Sequence, residues 1–397
     1  MTVDASRSVF VMLLVGAMGL HATGKVYANS VDQEGLVVHR ARVRVYFVAA
    51  EEVAWDYAPT GRDDAMGHPF DEFEQNYMQS GPRRIGRIYK KAIYREYTDA
   101  TFTKLEVRPP DEQYLGILGP ILRGAVGDTI KVFFKNKASR PYSMHPHGLL
   151  YAKDSEGAMY NDGASATDQA GDMVPPGGTH IYVWQIPERA GPGPNDLSSI
   201  VWLYHSHVDE LRDVASGLFG AIIVTAKGKA KPDGSPIDVD REFVTVMITV
   251  NENESWYLDD NIHKYTTDPN GVDKKESVPD DSGNLCGLSL GRSFADANLR
   301  YSINGFMFGS MPMMTMHKGE RVRWYVATLG DSNNFHTPHW HGNTVLDQGH
   351  RTDVIAISPA QMATVDMVPD NVGIWLYHCH VSDHMAAGMM TRYQVLP

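Results

Sequence analysis

Cysteine is nearly absent from this chain: Cys286 and Cys379 are the only two in 397 residues. A disulfide-stapled scaffold is excluded, and if Cys379 binds a metal, Cys286 has no partner within the chain. Long hydrophobic runs are lacking too. The best candidate starts at Val9 and ends at Leu20, with Arg7 before it and Val26-Tyr27-Ala28 after it. About 12 apolar residues are too few to cross a bilayer. This pattern predicts a secretory leader over residues 1–28 and a secreted or periplasmic protein. Basic charge is in deficit, with 36 Lys+Arg against 48 Asp+Glu and a formal net charge of −12. That balance argues against nucleic acid as a partner and mildly favours cationic substrates.

What the chain has in quantity is short β-patterned segments. "VRVYFVA", "TIKVFFKN", "THIYVWQI", "EFVTVMITV" and "RVRWYVAT" alternate β-branched or aromatic residues with polar ones, and turn clusters such as Pro176-Gly177-Gly178 lie between them. The pattern predicts an all-β fold of sandwich domains. The length suits two of them, over 33–227 and 241–397, with the Lys/Pro/Gly-rich 228–240 as linker. The polar stretch from Asp259 to Asp296 reads as a long loop in the second domain.

Histidine carries the chemistry. Four His-x-His pairs occur, two in each half: His145/His147, His205/His207, His339/His341 and His378/His380. Alternate residues of a strand share a face, so each pair offers two imidazoles to one pocket. In His378-Cys379-His380 the cysteine points the other way. Cysteinate, imidazole and a weak thioether form the ligand set of a blue-copper centre. Cys379, His384 and Met389 supply it, with His336 as second imidazole. The eight paired imidazoles suffice for three further copper ions. A structural zinc site closes at four ligands and has no use for eight histidines plus a separate thiolate.

The two halves differ where the thiolate sits. Ser206 stands in the first half where Cys379 stands in the second, Tyr142 where His336 stands, and Leu211 where His384 stands. The first half therefore has no blue-copper site. One mononuclear copper plus a trinuclear cluster gives four one-electron reservoirs, matching the four electrons that reduce O2 to water.

The chain resembles the multicopper oxidases, with motifs of the ceruloplasmin type. The likeness rests on "RVYFVAAEEVAWDYAP" and "IPERAGPGPNDLSSIVWLYHSHVDE" in the first half, and on "INGFMFG", "HTPHWHG" and "GIWLYHCHVSDHMAAGM" in the second. The resemblance implies two cupredoxin-like Greek-key β-sandwich domains. It implies that His145 and His339 hold a type-2 copper. By the same likeness His147, His205, His207, His341, His378 and His380 hold a type-3 pair, and His336, Cys379, His384 and Met389 the type-1 copper. A chain with room for two such domains also resembles the two-domain oxidases. It is thus expected to close as a homotrimer, each cluster lying between domain 1 of one chain and domain 2 of the next.

The expected reaction takes electrons from a small reductant at an exposed edge of His336 or His384, passes them through Cys379 to His378 and His380, and reduces O2. Asp162, in Asn161-Asp162-Gly163, resembles the acid that related oxidases place beside the type-2 copper; an Asp-Gly turn is the plainer account. Asp383 and Asp296 match carboxylates of a ferroxidase iron site, where Tyr301 stands in place of a histidine. Fe2+ is therefore the expected reductant, with laccase-like oxidation of phenols as the alternative. Met307, Met311, Met313, Met314 and Met316 suggest Cu+ as a third substrate, since thioethers favour cuprous ion. Copper nitrite reductases share the architecture but keep one histidine beside the cysteine, so the second one here argues against that activity.

Overall fold

A computed structural model describes residues 41–275, 293–330 and 335–397. The stretch expected to be a leader, Cys286 and the centre of the Asp259–Asp296 stretch lie outside these residues. The described chain is all-β, folded as cupredoxin-like β-sandwiches.

The same pair of sheets is built twice. In the first half one sheet runs in the order Ile88–Tyr97, Val43–Asp56, Thr129–Asn136, Thr179–Gln185. The facing sheet runs Leu122–Ala125, Phe219–Thr225, Ser199–His205, His145–Pro146. In the second half the sheet Met314–His317, Met390–Leu396, Gly373–Cys379, Pro338–Trp340 repeats the latter order. It also repeats the pairing senses, one parallel pair and then two antiparallel ones. The remaining sheet sets Arg241–Asn251 between Leu299–Ile303 and Val322–Ala327, then adds Met362–Met367 and a short hairpin.

Alternation drives these strands. Thr129–Asn136 buries every second residue (Ile130, Val132, Phe134, Asn136), the period expected of a strand with one face on a core. Strands covered on both faces, such as Phe219–Thr225 and Val322–Ala327, are buried throughout. One apolar cluster is shared by both halves, joining Tyr57, Tyr77 and Leu118 to Met247, Tyr301 and Met307.

One expectation needs correcting. The stretch after Asp259 is not a plain loop, because Leu258–Tyr265 is a helix. Leu258, Ile262 and Tyr265 recur at helical spacing, while Asp259 and Asp260 in the first turn and Lys264 in the last complement the helix dipole. The 228–240 segment is no free tether. Lys231 N–H donates to Ser235 O at 2.7 Å, Thr225 Oγ1 to Gly234 O at 2.8 Å, and Arg42 to Pro232 O at 2.8 Å. The last two bonds tie it to the first sandwich.

Candidate metal centres

Register brings the histidines together. His145 faces His205 across one strand pair, and His339 faces His378 across its counterpart. Gly148 and Gly342, each directly after a His-x-His pair, both adopt φ +72°. A Cβ at either would collide with a tryptophan ring, Trp202 or Trp375, so glycine lets the histidine hairpins seat against the next strand.

In the first half His147 Nε2 lies 3.0 Å from His205 Nε2, and the rings of His145 and His207 are 5.2 Å apart. In the second half His378 Nε2 lies 3.1 Å from His339 Nδ1 and 3.0 Å from His341 Nε2. The His380 ring stands 5.2 Å from that of His339. Imidazole nitrogens about 2 Å from a shared ion stand roughly 3 Å or slightly more apart, so His339, His341 and His378 have metal-binding spacing as a set of three, and His147 and His205 have it as a pair. Burial depresses the His147 pKa to about 4, His205 to about 3 and His378 to about 4, and lowers those of His145 and His339. The neutral imidazole is the form that binds metal. Backbone carbonyls fix some tautomers: His145 Nδ1 meets Glu156 O at 2.8 Å and His378 Nδ1 meets Cys379 O at 2.8 Å. Among the described residues no ring contact joins the first-half histidines to those of the second half.

Behind the second-half set, Cys379 Sγ lies 3.5 Å from His384 Nδ1 and 3.8 Å from His336 Nδ1, and those two nitrogens are 3.1 Å apart. Cys379, His336 and Met389 are wholly buried and His384 nearly so. Burial alone would raise the thiol pKa. Hydrogen bonding with His336 and His384 and with the Thr337 and Val381 N–H groups outweighs it and brings the pKa to about 6. A thiolate facing two converging imidazoles fits a soft metal of the blue-copper kind. Cys379 N–H also donates to Met389 O at 3.1 Å, which holds the methionine's backbone beside the thiolate.

The equivalent place in the first half is filled. Asp213 accepts from Ser206 Oγ at 2.6 Å, Val208 N–H at 3.1 Å, Asp209 N–H at 3.2 Å and Trp256 Nε1 at 2.9 Å. Leu211 does not take the place of His384, because it is exposed on the helix Glu210–Ser216. Tyr142 is buried and bonded to the Tyr257 hydroxyl at 2.9 Å.

Other predicted residues fare unevenly. Asp162 pairs with Lys153 at 2.5 Å and accepts from Ala164 N–H and Gln169. The Lys153 contact lowers its pKa. Asp383 is exposed and Asp296 half-buried, and the Tyr301 ring packs on His384 with centroids 5.2 Å apart. The expectation of an exposed His336 or His384 edge fails, since both are buried, with the Tyr301 ring against His384. Met307, Met311, Met314 and Met316 are buried core residues; only Met313 is partly exposed, so this run presents no thioether cluster.

Sequence reasoning missed two carboxylates on the histidines. Asp353 Oδ2 lies 3.6 Å from His339 Nε2, and Glu210 Oε2 lies 3.5 Å from His207 Nε2. The three-residue step from His207 to Glu210 at a helix start was the one available signal. Asp353 is brought in by a bridge between Val354 and His339, which no local pattern announces. Asp172 was also missed: burial raises its pKa to about 6, and its Oδ1 has no partner among the described residues.

Two multicopper oxidase family models match the chain, over residues 115–229 and 288–397. Mouse "Ferroxidase HEPHL1" is 43% identical over 358 residues, covering 89% of this chain and 29% of that protein. Rat hephaestin is 41% identical over 357 residues, covering 89% and 29%. Human ceruloplasmin is 40% identical over 359 residues, covering 89% and 31%. The chain thus spans under a third of the length of these relatives. A solved structure titled "Crystal structure of multicopper oxidase" superposes with a TM-score of 0.53 at 20% identity, covering 93% of each chain. "Multicopper Oxidase mgLAC" gives 0.52 at 18% identity, covering 90% of this chain and 88% of that one. At such identities these two speak for the fold.

Proposed function

Because the chain belongs to the multicopper oxidase family, we propose that it is a ferroxidase that couples oxidation of Fe2+ to reduction of O2 to water. One observation carries this reading. His378 and Cys379 are neighbours on a single strand, with the imidazole among His339 and His341 and the sulfur among His336 and His384. Bound copper supplies a one-electron acceptor at the cysteine site and O2 reduction at the histidine sites. The chain supplies the rest. His336, Cys379, His384 and Met389 form the type-1 site. His145 and His339 are the type-2 pair, and His147, His205, His207, His341, His378 and His380 the type-3 set. Four copper ions per active site follow.

Around the histidines the chain holds carboxylates suited to proton delivery. Asp353 on His339 and Glu210 on His207 are placed to orient their imidazoles and accept protons at ring nitrogens. Asp162, fixed by Lys153, contributes negative charge near the loop that bonds His145. At the other face Asp383 and Asp296 offer hard oxygen donors suited to iron, and the Tyr301 ring packs against His384. The relatives named ferroxidase and the excess of acidic residues support Fe2+ over a phenol. The buried methionines give no support to Cu+ as substrate.

The homotrimer belongs to the same proposal. Exposed apolar residues lie close to both half-sets: Met159 beside Ala158, which bridges to His207, and Val354, which bridges to His339. Separate half-sets with exposed apolar residues beside them suit a heterologous contact that closes a ring. Export to the periplasm or outside the cell fits the leader pattern.

Oxygen uptake by the copper-loaded protein tests the reading. Fe2+ is expected to give a higher kcat/KM than a simple phenol, and Asp383→Ala with Asp296→Ala is expected to raise KM for Fe2+. Preference for the phenol would sink the ferroxidase reading. Spin counting tests the metal assignment: four coppers by mass, with one type-1 and one type-2 resonance, are expected.

A further inference from the structure

The electron-accepting site is walled off by aromatic rings. Cys379 and His336 have no exposed surface and His384 retains 4%, so a surface reductant touches neither imidazole. The Tyr301 ring lies against His384 with planes at 37°, and the Tyr77 ring stands edge-on to Tyr301 at 6.4 Å. Tyr301 comes from the strand Leu299–Ile303 of the second half, Tyr77 from the helix Glu72–Met78 of the first. Arg300, fully buried, clamps that helix by donating to Tyr77 O at 2.7 Å. Asp296 lies on the short helix Phe294–Ala297 that leads into the Tyr301 strand, and Asp383 directly precedes His384 on the helix Ser382–Ala386.

We propose that Tyr301 is the electron bridge from a reductant held at Asp296 and Asp383 to His384, with Tyr77 positioning it. The inference rests on the assignment of His384 to a type-1 copper. In the step Fe2+ loses one electron to become Fe3+, the metal site receives that electron, and no bond breaks or forms in tyrosine. Tyr77 is not a radical relay. Oxidising a phenol by one electron is favourable only as its proton leaves, and the Tyr77 hydroxyl is buried with no hydrogen-bond partner among the described residues. The contribution of Tyr301 is thus its ring, in contact with the imidazole.

The test is anaerobic stopped-flow bleaching of the blue absorption band by Fe2+ in the copper-loaded full chain. The type-1 potential is measured alongside by redox titration. Tyr301→Leu is expected to slow bleaching by roughly tenfold or more, at unchanged blue spectrum and potential. Tyr301→Phe is expected to restore the rate, because the ring is kept. Should Tyr301→Leu fail to fold, Tyr301→Met carries the same comparison with an unbranched chain that adapts to an irregular space. A ring-free variant as fast as wild type overturns the bridge. So does a Tyr301→Phe variant as slow as the ring-free one, which would give the role to the hydroxyl. Wild type with a blue band that Fe2+ does not bleach overturns the ferroxidase reading alone, and the series is then run with hydroquinone. Wild type without a blue band overturns the type-1 assignment and the bridge together.

Discussion

A single atom type separates the two halves at the thiolate position, yet replacing it does not interconvert them. Asp213 has filled the pocket behind Ser206 with a buried carboxylate that four donors satisfy. Ser206→Cys is therefore expected to give no second blue band, as read by absorption of the copper-loaded protein. Cys379→Ser is expected to abolish the existing band and lower bound copper by about one ion per chain. A second residue-scale expectation concerns pH. Burial, reinforced by the neighbouring Asp63 carboxyl, raises Glu74 from 4.5 to about 7. The folded state then holds a proton that the unfolded state releases. Stability is greatest below the ordinary value and falls as pH rises through the folded one. Glu74→Gln keeps an acceptor for Asp71 N–H and is expected to stabilise the protein by ~1–3 kcal/mol near pH 8 but hardly at pH 4. Thermal melts of both proteins at the two pH values check it. The residues that eluded the sequence are of one kind. Asp353 and Asp172 are carboxylates brought in by tertiary contacts, and only Glu210 carried a local cue, its three-residue step from His207.

Elements were legible where a period repeated. The His-x-His spacing predicts strands that turn both imidazoles to one side; the strands hold the first histidine of each pair, and the registers set His145 against His205 and His339 against His378. The glycine after each of two pairs was visible as well, but not its reason, which is a tryptophan on the adjacent strand. Gly148→Ala and Gly342→Ala each impose an unfavourable backbone conformation and an overpacked ring. Each is expected to cost roughly 2–4 kcal/mol. Denaturant titration of the copper-free chains measures that, and copper retention should fall in parallel. The helix Leu258–Tyr265 was hidden because only three apolar residues mark its face amid charged ones. The helix Glu72–Met78 was missed for a similar reason. Its capping box of Asp71 and Glu74 was present in the sequence, but only the tertiary fold sets Tyr77 over the second domain.

At the scale of the molecule, the histidines pose a geometric problem that a chain folded as described does not solve alone. Four belong to one sandwich and four to the other, and among the described residues no ring contact joins the sets. If the halves meet between chains in a closed ring, two defective chains can repair each other. A chain carrying His145→Ala and His147→Ala keeps its second half-set, and one carrying His339→Ala and His341→Ala keeps its first. In a trimer each mixed ring contains one junction where two intact half-sets meet. Random one-to-one mixing makes about three quarters of the rings mixed, so about a quarter of wild-type sites are rebuilt. Mixing must include dissociation and reassembly, for example by unfolding and refolding the two chains together with copper. Oxygen uptake near a quarter of the wild-type value per chain is expected from the mixture, and almost none from either variant alone. A cluster housed within one chain predicts no recovery at all, whatever the oligomeric state. The experiment therefore reads the location of the site rather than the mere existence of a trimer.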